Sequence, residues 1–134
     1  MNYLKNPGRR IRHITSSPFI FSVFVPVIIA DVWIEIYHRI CFRLYKLPYI
    51  VRSKYVRVDH QKLAYLNPMQ KLFCLYCGYV NGVFAYWVQI AAATETYWCG
   101  IQHEKVKGFV SPKHHKDFVP YGDEEAFRDK YKNK

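Results

Sequence analysis

One apolar stretch, and the places where its charges fall, constrains this chain more than any other feature. "SSPFIFSVFVPVIIADVWIEIYHRICFRLYKLP" runs from Ser16 to Pro48. Its uncharged part, Phe19 to Ala30, is shorter than the roughly 20 residues that a relaxed bilayer crossing needs. Asp31, Glu35, His38, Arg39 and Arg43 follow at once. A signal peptide would begin in a similar way, with "RRIRH" as its charged region. No A-x-A cleavage pattern follows, however, so the segment is expected to be retained.

Spacings of four and three place Asp31, Glu35 and His38 on one face of a helix. Trp33, Tyr37 and Tyr45 are amphipathic rings suited to the headgroup level. Arg39, Arg43 and Lys46 are long enough to snorkel out of an interfacial helix. Pro26 would start or kink the helix rather than sit in its middle. Residues 17–47 therefore read as a membrane anchor or interfacial helix that dips into one leaflet or lies along it. A single tilted crossing and a buried core helix are the competing readings. Lys and Arg on both flanks place them at the cytoplasmic face of a membrane.

Most of the net charge of +10 belongs to the same half of the molecule. Residues 1–94 hold twelve Lys or Arg against three acids, Asp31, Glu35 and Asp59, whereas residues 95–134 are nearly balanced. Such a field attracts an anionic lipid surface or nucleic acid. The organisation expected is a basic segment over 1–16, the anchor over 17–47, and a small helical metal-binding domain with a polar tail over 48–134. In that domain Asp59 is a reasonable cap for a helical turn, and Gly78 is placed to stop a helix through "MQKLFCLYC". Asn81-Gly82 reads as a turn. Val83, Tyr86, Trp87 and Ile90 then repeat at three and four, marking the apolar face of a further helix. Near the end, Asp123, Glu124 and Glu125 open a short helix that Arg128, Lys130 and Lys132 close, matching the helix dipole.

Four cysteines, Cys41, Cys74, Cys77 and Cys99, could pair as two disulfides, but the composition is not that of a disulfide scaffold. The spacing favours metal ligation. Cys74 and Cys77 form C-x2-C, and Cys99 and His103 form C-x3-H. Cys3His is a usual closed tetrahedral set for structural zinc, with iron as the alternative ion. The intervening segment returns the two pairs to one pole only if the Asn81-Gly82 turn folds it back. Three buried free cysteines and an ordinary histidine would give the same text. Cys41 has no partner in the motif and reads as packing.

Glu35-x-x-His38 has the spacing of di-iron bundles, and Asp31 and Glu95 add carboxylates. Such sites need two E-x-x-H repeats and this sequence has one, so these groups are expected to pair with Arg39, Arg43 or backbone. His114-His115 reads as a solvated pair in a polar loop.

"YHRICFRLYKLP", "AYLNPMQKLFCLYCGYVNG" and "TETYWCGIQH" resemble, in that order, a family of small bacterial membrane-associated proteins with no established activity. Its motifs are C-x-Y-C-G-Y-x-N-G and T-E-x-Y-W-C-x-I-x-H, and the resemblance covers roughly residues 25–127. It implies that Cys74, Cys77, Cys99 and His103 belong to the family pattern, together with Asp31, Glu35, His38, Glu95 and Trp98. Two places depart from that pattern: Asp59-His60 stands where the family has Asp-Arg, and Ala93 where it has a basic residue.

The expected fold is mostly α: an N-terminal membrane-associated helix followed by a small helical domain with a Cys3His metal site. The expected function is that of a membrane-anchored metalloprotein serving as an accessory or assembly subunit of a larger membrane complex, without catalysis of its own. A redox protein or enzyme using Glu35, His38 and Glu95 is the first alternative. A zinc-dependent nucleic-acid binder is the second, and the missing recognition-helix pattern counts against it.

Overall fold

A computed structural model describes residues 10–132, so residues 1–9 of the basic segment expected over 1–16 lie outside the described residues. The described chain is mostly helical. Helix α1 spans Arg10–Ser22, α2 Phe24–Leu44, α3 Pro68–Trp98 and α4 Glu124–Tyr131. It divides into two compact units, Met1–Trp87 and Val88–Lys134, with the boundary inside α3.

In the first unit, α1 and α2 are parted only by a turn at Val23. Pro26 explains the position of that turn. Its ring crowds the carbonyl four residues earlier, that of Ser22, while its missing N–H falls in the first turn of α2, where no intrahelical bond is due. Helix α2 ends through a left-handed residue: Lys46 has φ 55. The Leu47 N–H reaches back to the Phe42 carbonyl at 2.9 Å and the Lys46 N–H to that of Arg43 at 3.3 Å. These two bonds make a Schellman closure, and Pro48 beyond it cannot continue the helix.

Residues 49–67 carry short 3-10 turns at Arg52–Lys54 and His60–Lys62. Asp59 occupies the cap position of the second, without a side-chain bond to it. The chain then enters α3. Phe21 stacks on Phe73 at 5.5 Å, and Phe24 meets Tyr76 and Tyr79 at 5.8 and 5.3 Å. Below these rings Val27, Val80 and Val83 form the apolar core, flanked by Val56 and Trp87. The three-and-four repeat along α3 was legible in the sequence, and Val83, Tyr86 and Ile90 are indeed buried.

The expected stop at Gly78 and turn at Asn81-Gly82 are corrected: α3 runs unbroken through both. The glycines serve a close approach instead. A Cβ on Gly82 would lie 2.8 Å from the Tyr55 carbonyl oxygen and 2.8 Å from Val56 Cα, and one on Gly78 would lie 3.0 Å from the Arg57 carbonyl oxygen. Spaced four apart, they form a groove on α3 into which the backbone of 55–57 fits.

The second unit holds the last turns of α3, a long connection and α4. One parallel bridge pairs Ile101 with Val119, supported by Gln102 N–H to the Val119 carbonyl at 2.8 Å and Val119 N–H to that of Gly100 at 2.7 Å. The Gln102 amide also donates to the carbonyls of His115 and Phe118. Phe118, Val119 and His115 are buried. Helix α4 begins as its sequence foretold: Asp123 accepts from the Ala126 N–H at 2.9 Å, and Arg128 pairs with Glu124 one turn earlier.

Candidate metal centre

Two polar clusters stand out, one in each unit. The first lies along the inner face of α2. Asp31 accepts both terminal nitrogens of Arg52, at 2.7 and 2.5 Å, together with the Tyr79 hydroxyl at 2.7 Å and the Trp87 indole N–H at 3.3 Å. Glu35 accepts from Arg39 at 2.8 Å, Tyr49 at 2.7 Å and Tyr86 at 3.0 Å. His38 is 0 % exposed, and its partners assign its tautomer. The Ile50 N–H donates to Nε2 at 3.3 Å, so the ring proton sits on Nδ1, which donates to the Tyr86 oxygen at 2.8 Å. The Tyr86 hydroxyl proton then goes to Glu35, giving a chain from His38 through Tyr86 to Glu35. Burial, and then the carboxylate it donates to, push the Tyr86 phenol well above its ordinary value.

In this network every carboxylate oxygen is used by protein donors, so it clamps α2, the 49–52 segment and α3 together. Asp31, Glu35 and His38 thus meet as expected, with Arg39 among their partners. Arg52, Tyr49, Tyr79 and Tyr86 were missed, because nothing local in the sequence ties them to α2. Glu95 belongs to the second cluster instead.

That cluster is built by three segments. The last turn of α3 supplies Glu95, the stretch after the Ile101–Val119 bridge supplies His103, and a 3-10 turn at Lys113–Asp117 supplies His114 and His115. The Glu95 Oε1 lies 2.9 Å from His115 Nε2 and its Oε2 2.7 Å from His114 Nε2. His103 Nε2 is 4.0 Å from Oε1. The hydrogen bond from His114, with that from His115, holds the Glu95 carboxyl below the usual glutamate range. Glu95, His103 and His115 form a group that could hold a metal ion, with one ligand atom of each within 4.8 Å of the others.

His115 is 1 % exposed and stacks on Phe118, and its Nδ1 has no hydrogen-bond partner among the described residues. A neutral imidazole has one N–H and one lone pair to place, and this buried ring places only one of them. The His115 nitrogen that faces the ionised Glu95 carboxylate is Nε2, at 2.9 Å, and it is this atom, with the carboxylate and the nearby His103 Nε2, that fits a cation; the unspent Nδ1 is the other ring nitrogen. Two imidazoles and a carboxylate suit zinc and also ferrous iron, and three protein ligands leave coordination positions open.

The Cys3His arrangement is corrected on the same ground. Cys74 and Cys77 lie within α3, and Cys99 follows its last residue. A helix advances about 1.5 Å per residue, so without the turn at 81–82 it carries its ends apart. Among the described residues no cysteine belongs to a metal-holding group, and all four cysteines are free thiols. His103 and Glu95, expected in two different sites, share one. His114 and His115 are drawn into it rather than solvated, and the only signal for that was two adjacent imidazoles downstream of His103.

No protein-family model, curated protein or solved structure matches this chain. Fold and site together define a small, mostly helical protein with a Glu/His/His group. One helical stretch, Ile11–Leu44, is long and apolar enough to cross a membrane or to act as a signal sequence.

Proposed function

We propose that the protein is a membrane-anchored metalloprotein that acts as an accessory or assembly subunit of a larger membrane complex, on its cytoplasmic face, with its ion on Glu95, His103 and His115. The observation that carries the anchor is the polarity of α2. Asp31 and His38 are turned inward, whereas Val25, Ile29, Val32, Trp33, Ile36, Ile40 and Leu44 lie outward, Trp33 at 74 % and Leu44 at 71 % exposure. A helix in water turns its charges out. One in lipid turns them toward protein partners, as Asp31, Glu35 and His38 are turned here, while the exposed Arg39 and Arg43 lie in its C-terminal turns. The subunit role is supported by the exposed rings of Tyr97 and Trp98, residue types that anchor protein contacts.

The test is alkaline carbonate extraction of membranes, followed by elemental analysis of the detergent-purified chain. The expected result is a membrane-retained protein with one divalent ion per chain, lost in Glu95→Gln and in His115→Ala. A chain released by carbonate sinks the anchor, and a metal-free chain sinks the site. Because the donor set also suits ferrous iron, a visible or paramagnetic signal would favour a redox role over a structural one.

A further inference from the structure

We infer that the groove at the C-terminal end of α2 is a binding site for one anionic phospholipid, an inference that rests on the anchor reading above. The groove has a volume of about 810 Å³ and is lined by Arg39, Arg43, Ile40, Leu44, Leu47, Tyr49 and the buried Phe42. Two ligand chemistries are laid out side by side along one helix. Arg39 and Arg43 are one turn apart, so their guanidinium groups share a face. Ile40 and Leu44 repeat the same step one residue around, so an apolar strip runs next to the basic one.

The position along the helix fits as well. Arg39, Arg43 and Lys46 stand at the C-terminal end of the apolar stretch that ends at Leu44, where long basic side chains can reach headgroup level.

Charge complementarity selects the occupant. Among the described residues Arg43 makes no ion pair with a carboxylate, and Lys46 makes none. Glu35, the acid bonded to Arg39, is held by the Arg39 Nε and by two tyrosine hydroxyls. An excess of positive charge thus faces a cavity whose remaining walls are apolar. A phosphodiester takes bidentate bonds from guanidinium, and an acyl chain continues along Ile40, Leu44 and Leu47. A zwitterionic lipid brings its own ammonium group to the same arginines and is disfavoured. A free phosphate ion uses only half of the site.

The test is native mass spectrometry of the full chain, extracted in mild detergent and offered phosphatidylglycerol or phosphatidylcholine. The expected result is one retained phosphatidylglycerol, preferred at least fivefold, the step expected for one basic group at a lipid surface. Arg43→Gln, which lies outside the buried network, brings the preference to within twofold while the circular dichroism spectrum is unchanged. Lys107→Gln, an equal loss of charge elsewhere, leaves the preference intact. Equal binding of the two lipids overturns the site, as does an equal effect of Lys107→Gln or full displacement by millimolar inorganic phosphate. If the chain stays in carbonate-washed membranes but shows no preference, the lipid site alone fails. If it is washed out, the anchor and the lipid site fail together.

Discussion

Replacing Gly82 by alanine sets helix propensity against packing, and the structure gives the sign. Alanine in a helix interior is favoured over glycine by about 1 kcal/mol, so a helix taken alone would be stabilised. The new methyl, however, would stand 2.8 Å from both the Tyr55 oxygen and Val56 Cα. Carbon contacts relax at about 3.5–4.0 Å, so the 55–57 backbone must retreat by on the order of 1 Å. Overpacking of this kind costs about 1–3 kcal/mol. The retreat also pulls on the preceding turn, whose Arg52 holds Asp31, and each hydrogen bond weakened adds about 0.5–1.5 kcal/mol. Packing wins, with a net loss of about 1–2 kcal/mol and a fall in Tm of about 3–6 °C for a chain of this size. Thermal melts followed at 222 nm in one mild detergent measure it, with exposed Gln89→Ala as the propensity control. Gly78→Ala, where the nearest atom is 3.0 Å away, is expected to fall close to neutral. A higher Tm for Gly82→Ala than for wild type would refute the close approach of 55–57 to α3.

Cys77→Ser and Cys74→Ser are expected to leave metal content unchanged by elemental analysis, because neither thiol joins the Glu/His/His group; loss of the ion in either would restore the cysteine site. Asp31→Asn leaves Arg52 without its charge partner. Breaking a buried pair costs about 3–5 kcal/mol, and since the Arg52 side chain is 33 % exposed, a discounted loss of about 2–3 kcal/mol is expected in the same melts. Glu95 has a folded value below its ordinary 4.5, so its contribution is fully present above about pH 4.5 and is lost as pH falls through the depressed value. Amide exchange over residues 95–119 should therefore quicken on acidification below pH 4.5 and stay flat between pH 5 and 6 as far as Glu95 is concerned. A Glu95→Gln chain should lack that acid step.

Parts of the molecule were legible because they are decided within a few residues. Helix α4 needed only its acidic opening at Asp123, Glu124 and Glu125 and its basic close from Arg128. The buried face of α3 needed only apolar side chains recurring at three and four. Asp31, Glu35 and His38 were placed on one face by spacing alone. The glycines misled for a physical reason. A glycine that ends a helix and a glycine that admits a neighbouring backbone look identical in sequence, and only the partner at 55–57 tells them apart. The ligand set misled in the same way. C-x2-C followed by C-x3-H is a ligand pattern only where the chain turns between its halves, and here the turn is absent.

What the sequence by itself determined is therefore local: the helices and their ends, the apolar span with its charged inner face, and the basic bias of the first two thirds. Hydrogen bonds and side-chain contacts three or four residues apart are enough for that. The tertiary structure decided which groups meet. The reversal at Lys46–Pro48 brings Arg52, Tyr49 and Ile50 back onto the acids and histidine of α2. The Ile101–Val119 bridge fixes the connection from which His103, His114 and His115 reach Glu95. Apart from His103 with Glu95, these are encounters between residues 12 to 21 positions apart, and they depend on how the chain reverses and packs, which no local period encodes.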